Sequence, residues 1–583
     1  MNVIHLELPR IFTFTVKEYF TEVKSTLESD GHTFRQYDAN PVFWRWLMQL
    51  STPYSPGDCL APLLKTEPDE TFWASIAEMQ RHLRDISTLY GIKVELAGLR
   101  LPAAVADSTY AMCSLIADNF GCALFSGFFQ HLDERIHFSG ADILTLGNDG
   151  QEGVFWALNL AAWMRARGST AHICIARHGH ENFSLVHHVG NLAKNEWFFG
   201  LVDSVALYPE ELPRTLRLLS DAVKTDDYGA LENIAIKPKA GPVWIIPPRA
   251  GATAESRVSP PDYSIPEEYF QSMDVPLEHL VYSMAMVRNK CFYKKCTFCV
   301  QITKHVGDAA YEPAAELERA LNACAELCRH GVQLVNFSDE AMRPVDLRRF
   351  SEGLLARKIP VRRVGRMVAA AHPDVATLRL MRDAGCTEIL FGIESFDPAL
   401  LRDMGKISGH SDTAAETLAM IRSYLDAGLF VILSMIYDFP TEPPGSRAAT
   451  RALAEKIAMD SDRTAFIFNR FGLFHTSAIY KDPARFGIEP PGPALPHNDI
   501  QYVFPCNRLS NPDPLTADEA QLYRRLKFGM DGETYAALHT KHGAELLDIA
   551  HFFDYNSIGF VHRALHDRTF LSSFCIRNPA VAK

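Results

Sequence analysis

Cys291, Cys296 and Cys299 lie in Arg288-Asn-Lys-Cys291-Phe-Tyr-Lys-Lys-Cys296-Thr-Phe-Cys299, a C-x4-C-x2-C spacing. Three thiolates crowded into nine residues can wrap one soft-metal centre, and thiolates are the usual protein ligands of iron–sulfur clusters. No fourth cysteine is near. Three ligands leave one iron of a four-iron cluster open to a small molecule, whereas a closed structural site normally takes four. Arg288, Lys290, Lys294 and Lys295 surround the thiols and favour their ionised form. A zinc ion completed by His305 would use the same ligands, and so would a redox dithiol of Cys296 and Cys299. The dithiol leaves Cys291 without a role.

Acidic and basic groups follow at the ends of apolar runs. NFSDEAM carries Asp339 and Glu340, VGRM carries Arg366, and FGIES carries Glu394 and Ser395, followed by LLRDMGK with Met404 and Lys406. Each has a plainer reading: Asp339 as the cap of a helix, Arg366 as half of a salt bridge, Glu394 and Ser395 as the end of a strand. Taken in order with the cysteines, these segments resemble the radical S-adenosylmethionine (SAM) superfamily, and in particular the branch with a cobalamin-binding-like domain before the radical SAM barrel. The resemblance is closer over residues 275–485 than over residues 1–240. Phe298 matches the aromatic residue before the last cluster cysteine; the first gap has four residues where three are usual, which lengthens the loop without removing a ligand.

The resemblance implies a 4Fe-4S cluster on Cys291, Cys296 and Cys299, with SAM chelating the open iron. One electron from a donor such as flavodoxin or ferredoxin would then cleave SAM to methionine and a 5′-deoxyadenosyl radical. It places Asp339 or Glu340 near the SAM ammonium, Arg366 at the carboxylate, and Glu394 and Ser395 at the ribose hydroxyls. It also implies cobalamin in the first domain. There the chain departs from the branch: no D-x-H-x-x-G motif is present, Arg177-His-Gly-His180 replaces an expected Gly-Gly, and Tyr208-Pro-Glu-Glu211 replaces Gly-Glu-Gly-Glu. Bulky side chains in these places crowd the close backbone approach a nucleotide tail needs.

The elements that must hold these residues are legible in the hydrophobic pattern. DILTLG (142–147), AHICIA (171–176) and DSVALY (203–208) alternate with helical stretches and predict a doubly wound, Rossmann-like α/β domain over 1–240, with a helical insertion at about 41–140. A proline-rich linker occupies 241–276. VQLVNFSDE (332–340), PVRRVGRM (360–367), CTEILFGIES (386–395), FVILSMIYDFP (430–440) and FIFNRFGLF (466–474) predict a full or partial parallel β/α barrel over 277–486, with its chemistry at the carboxyl ends of the strands. Residues 487–583 read as a second linker and a small α+β, winged-helix-like module. That module opens with the capping-box pattern TADE at Thr516 to Glu519 and closes with the hairpin-like FVHRALHDRTFLSSF.

The remaining composition narrows the function. The 58 basic against 70 acidic residues, formally −12, with no basic run interleaved with aromatics, argue against a nucleic-acid partner. The N-terminus lacks a signal-peptide pattern and the longest apolar stretch is too short to cross a bilayer, so a cytoplasmic protein without a membrane partner is expected. Cys324 and Cys328 fall on a helical core stripe with Leu317 and Leu321, and Cys386 also reads as structural. His178, His180, His187 and His188 span a loop and a helix without carboxylate or cysteine partners and read as solvated or packing residues. The leading reading is cobalamin-dependent methylation of a peptide or small natural product. A radical SAM enzyme working by hydrogen abstraction without cobalamin, and a zinc-binding regulatory protein, are the alternatives.

Overall fold

The computed structural model describes residues 1–583 except 14, 51–69, 148–149, 177–184, 240, 249–261, 274–275, 288–290, 301–312, 370, 408–413, 462, 490–497, 502, 505, 507–515, 528–531 and 556–583. Its strands are, in chain order, β1 (Asn2–Glu7), β2 (Thr15–Lys17), β3 (Thr33–Asp38), β4 (Lys93–Glu95), β5 (Gly98–Arg100), β6 (Ile143–Gly147), β7 (His172–Ile175), β8 (Ser204–Ala206), β9 (Ile234–Ile236), β10 (Trp244–Ile246), β11 (Val281–Met284), β12 (Leu334–Phe337), β13 (Arg362–Val368), β14 (Cys386–Glu394), β15 (Phe430–Tyr437), β16 (Thr464–Arg470), β17 (Leu473–Phe474) and β18 (Val503–Phe504).

The first large sheet has the order β10-β9-β8-β7-β6-β1-β3. It is parallel from β3 to β8 and antiparallel at β9 and β10. The strand order reverses between β1 and β6, so this is the doubly wound α/β domain expected from the sequence, with its topological switch point at that pair. The sheet runs on to Ile246, beyond residue 240. Between β3 and β6 lie the helices Ala39–Gln49, Glu70–Tyr90, Thr109–Ala117 and Cys122–Ile136, together with the small β4–β5 hairpin. A dense aromatic core forms here: Trp156 meets Phe43, Phe125 and Phe128 edge-on, with ring centres 4.8 to 5.9 Å apart.

The second sheet, β16-β15-β14-β13-β12-β11-β2, is parallel throughout and does not close. It is the partial barrel. Its long strands CTEILFGIE and FVILSMIY are almost continuously apolar because helices cover one face and the barrel interior the other. The edge strand β2 comes from the N-terminal region: having finished β1, the chain leaves the first sheet, pairs Thr15 to Lys17 with Val281 to Ser283, and returns to make β3. Nearby contacts lock this crossing. The Tyr19 amide donates to the Tyr282 hydroxyl at 2.5 Å, the Tyr269 hydroxyl donates to the Lys17 carbonyl at 2.5 Å, and Arg319 meets Glu18 at 2.5 Å. One hydrophobic core runs without interruption from Val3, Ile143 and Cys174 of the first sheet to Val335, Phe337 and Leu433 of the second.

The C-terminal part covers the open edge of the barrel. Thr516 and Glu519 make the reciprocal capping box: the Glu519 amide donates to Thr516 Oγ1 at 3.2 Å, and the Thr516 amide to the Glu519 carboxylate at 3.0 Å. In the helix that follows, Ala517–Lys527, Tyr523 stacks on Phe468 of β16 with ring centres 4.0 Å apart. The next helix, Gly532–Tyr555, lays His542 on Trp73 of the insertion at 4.2 Å. The hairpin-like stretch beyond it falls outside the described residues. Among the described residues no single helix is long and apolar enough to cross a membrane. The bent pair Thr109–Ala117 and Cys122–Ile136, which together reach that length, places Met112, Phe125, Phe128 and Leu132 in the aromatic core.

Candidate functional site

The cysteine segment leaves the carboxyl end of β11 and crosses the ends of its neighbours. Asp339, just past β12 and fully buried, anchors its start: one carboxylate oxygen accepts from the Met286 amide at 2.6 Å and the other from the Val287 amide at 2.9 Å. Cys291 then forms a parallel bridge with Ala341. Further on, the loop is fastened to the turn after helix Pro398–Asp403. The Thr297 amide donates to the Met404 carbonyl at 3.0 Å, Thr297 Oγ1 to the Asp403 carbonyl at 2.8 Å, and the Tyr293 hydroxyl to the Lys406 carbonyl at 2.6 Å. Gly405 has φ +72° and its Cα hydrogen faces the Lys295 carbonyl, so a Cβ there would strike the backbone of the cysteine loop. That is the physical content of the DMGK segment.

Lys406 carries the electrostatics of this contact. Its ammonium lies 2.9 Å from Glu394 and 3.0 Å from the Gly392 carbonyl, and both side chains of the pair are less than a tenth exposed. Burial works to lower the Lys406 pKa, but Glu394 and then Cys296 outweigh it and hold the ammonium above its ordinary range. Burial pushes the Cys296 thiol up, while Lys406 pulls it back. Lys406 also sits over the Phe298 ring at 5.8 Å. Glu394 ends β14 after a register shift at Gly392 and holds φ +69°, a left-handed backbone that costs a carboxylate residue of order 1–3 kcal/mol and is common at functional sites. Ser395 accepts from the Asp397 amide at 3.0 Å and lies 3.4 Å from Thr450 Oγ1.

Glu340 and Arg366 stand at the ends of β12 and β13, 3.9 Å apart. Arg366 also lines a cavity of about 360 Å³ between the two sheets. On the barrel side its wall is formed by interior residues of successive strands, among them Ser283, Asn336, Arg366 and Glu388. On the other side stand Arg10 from the loop after β1, and Glu152 and Trp156 from the helix Gly150–Ala166 that follows β6. The cavity therefore lies outside the carboxyl ends of β1 and β6, at the switch point where doubly wound domains bind ligands, and also opens into the barrel interior. Sequence reasoning found Arg366 but missed Arg10, Glu152, Trp156 and Glu388. They belong to separate segments, and no local motif marks them.

Three thiols on one loop, the middle one backed by a buried ammonium, suit a cluster whose ligands sit at separate corners. No three His, Cys, Asp or Glu side chains among the described residues are gathered as the ligand set of a metal ion. His305, the fourth ligand of a zinc reading, and His178 and His180 lie outside the described residues. Cys324 and Cys386 are fully buried, Cys328 is half-buried, and burial pushes the Cys324 thiol up to about 12 and Cys328 to about 11, as for packing residues. At the first sheet, Gly147 ends β6 against the Glu7 carboxylate, which leaves no room for a Cβ. The next described element is the helix Gly150–Ala166, of 17 residues.

Residues 287–454 match the family model of the Radical SAM superfamily and form a radical SAM domain. The whole fold is similar to that of the radical SAM methyltransferase TsrM from Kitasatospora setae, solved with cobalamin and a [4Fe-4S] cluster bound. The TM-score is 0.54 at 13% identity, over 95% of this chain and 100% of that one. It is likewise similar to the cobalamin-dependent SAM radical enzyme OxsB, solved with aqua-cobalamin and SAM bound, with a TM-score of 0.54 at 12% identity over 95% of this chain and 72% of that one. No curated protein sequence matches the chain. The chain thus carries a stretch that matches the radical SAM family model, within a fold similar to those of two cobalamin-dependent radical SAM enzymes.

Proposed function

We propose that this chain binds a 4Fe-4S cluster through Cys291, Cys296 and Cys299, binds SAM beside it, and uses cobalamin to methylate a small natural product or a peptide. The observation that carries the reading is the docking of the cysteine loop onto Asp339 and onto the turn that presents Lys406 to Cys296 and Glu394. When bound, the cluster supplies one electron to the SAM sulfonium and cobalamin supplies a methyl carrier. The chain positions these groups. Asp339 fixes where the loop leaves the barrel, Arg366 and Glu340 offer opposite charges to the two ends of an amino acid moiety, and Glu394 offers a carboxylate to a diol. The cavity reached from both sheets holds the substrate away from water, with Trp156 as an apolar wall and Arg10 and Glu388 as polar anchors.

Purification without oxygen from cells that import cobalamin, followed by iron and sulfide reconstitution, tests this directly. Four irons and close to one corrinoid per chain, with SAM-dependent methyl transfer, are expected. Iron without corrinoid would favour the second reading, hydrogen abstraction without cobalamin. One feature supports that alternative: the carboxyl end of β8 is closed by the turn Pro209–Glu211, clamped by Asn233, whose side chain bonds both the amide and the carbonyl of Tyr208 at 2.9 Å.

A further inference from the structure

We infer that the protein holds a buried monovalent anion, chloride in kind, against the Arg363 guanidinium, in the layer between the barrel sheet and the helices that cover it. Arg363 is the second residue of β13, at the end of the strand away from the cysteine loop. Its neighbours Val364 and Arg366 line the cavity, whereas Arg363 packs on the helix Pro344–Arg357 and is fully buried. Nη2 donates to Ser351 Oγ at 2.7 Å, and the guanidinium carbon lies 5.5 Å from the centre of the Phe350 ring. Nε and Nη1 are buried and have no acceptor, and among the described residues no carboxylate pairs with the group.

Arginine does not lose its proton in a protein, so a fully buried one needs a counter-charge as well as hydrogen-bond acceptors. Arg319, the other buried arginine among the described residues, has both: it meets Glu18 at 2.5 Å and Glu316 at 3.3 Å. Arg363 has neither in full. Two thiols lie in its field, that of Cys386, its register partner on β14, and that of Cys324 on the helix Pro313–Arg329. Burial pushes the Cys324 thiol up to about 12 and also raises that of Cys386, and the pull of the guanidinium does not offset it. Neutral thiols leave the charge unmatched. Around them the core is apolar, with Leu347, Phe350 and Leu354 from the covering helix. Water would accept from the remaining N–H groups without matching the charge, whereas a small anion does both. A doubly charged oxyanion calls for more donors and more positive charge than one guanidinium supplies.

Thermal unfolding of the full-length protein, followed by circular dichroism, should be compared in sodium chloride, sodium bromide and sodium methanesulfonate at equal ionic strength. An anion bound by the folded chain alone raises the midpoint with the logarithm of its concentration, here by about 1 °C for each tenfold rise in chloride or bromide, and methanesulfonate should have no such effect. Arg363→Met replaces the charge with an apolar chain and is expected to abolish the difference between the salts. Midpoints that are the same in all three salts overturn the inference, as does a halide effect that persists unchanged in Arg363→Met. If that variant does not fold, wild-type crystals grown in bromide decide. Anomalous bromine density in contact with Arg363 supports the site, and bromide at surface positions only, or none, overturns it. Thiolate absorbance in the ultraviolet at neutral pH that disappears in Cys324→Ser or Cys386→Ser would put the counter-charge on sulfur and overturn it as well.

Discussion

The Lys406 ammonium is 2.9 Å from the Glu394 carboxylate and lies against Cys296, so one buried cation serves both the end of β14 and the middle cysteine of the loop. Removing one partner of a buried ion pair strands the other, at a cost of about 3–5 kcal/mol. Lys406→Met is therefore expected to lower the denaturation midpoint sharply and to reduce iron uptake. Lys406→Met combined with Glu394→Leu should recover most of the stability. Urea titrations of the wild type and the two variants check this, and a double variant no more stable than Lys406→Met would contradict it.

Asp339 spends its carboxylate on two backbone amides. In Asp339→Ala the Met286 and Val287 amides lose their acceptor, with a penalty of about 1–3 kcal/mol for each buried group. The start of the cysteine loop should loosen, and iron per chain should fall. Wild-type iron content and wild-type melting in this variant would show that the loop does not depend on Asp339.

Alanine at Cys291, Cys296 or Cys299 is expected to abolish cluster assembly and SAM cleavage, whereas alanine at Cys324 or Cys328 should leave iron content unchanged and lower stability only through lost packing. Full iron content in any of the first three variants would refute the ligand assignment.

Acid should weaken the first domain through two histidines held neutral. Burial lowers His172 to about 4, and burial with His475 and His187 nearby lowers His188 to about 3, against an ordinary value of 6.5. Below pH 6.5 the unfolded chain takes up protons that the folded one refuses. Stability present above 6.5 is therefore lost as the pH falls toward 4 for His172 and 3 for His188, by about 1.4 kcal/mol per pH unit for each. Denaturation curves at several pH values between 7.5 and 4.5 should show a shallower loss in His188→Gln than in the wild type; equal slopes would contradict the assignment.

Local patterns were the legible part of this protein. The strand expected at CTEILFGIES is β14, Cys386–Glu394, and the one at FVILSMIYDFP is β15, Phe430–Tyr437, because parallel strands buried on both faces leave long apolar runs. The TADE capping box was equally plain, since all its contacts lie within four residues. By contrast, β2 is three residues long and finds its partner in β11, itself only four residues, so neither carries a usable period. Arg10, Glu152 and Glu388 meet at one cavity only because the two sheets are brought together. Asp339 was singled out by its motif, but its bonds to the backbone of the loop follow from the path the chain takes after β11, which no spacing encodes.

The crossing of β2 into the second sheet has a consequence for biosynthesis. As the chain emerges from the ribosome, Thr15 to Lys17 must wait for β11; even the neighbouring Tyr19 finds Tyr282 only 263 residues later. Contacts closed over so long a span form late and slowly. Ordering of the segment between β1 and β3 is therefore tied to translation of the barrel, and a nascent chain stalled before Val281 would present Thr15 to Lys17 unpaired to chaperones or to another copy of itself.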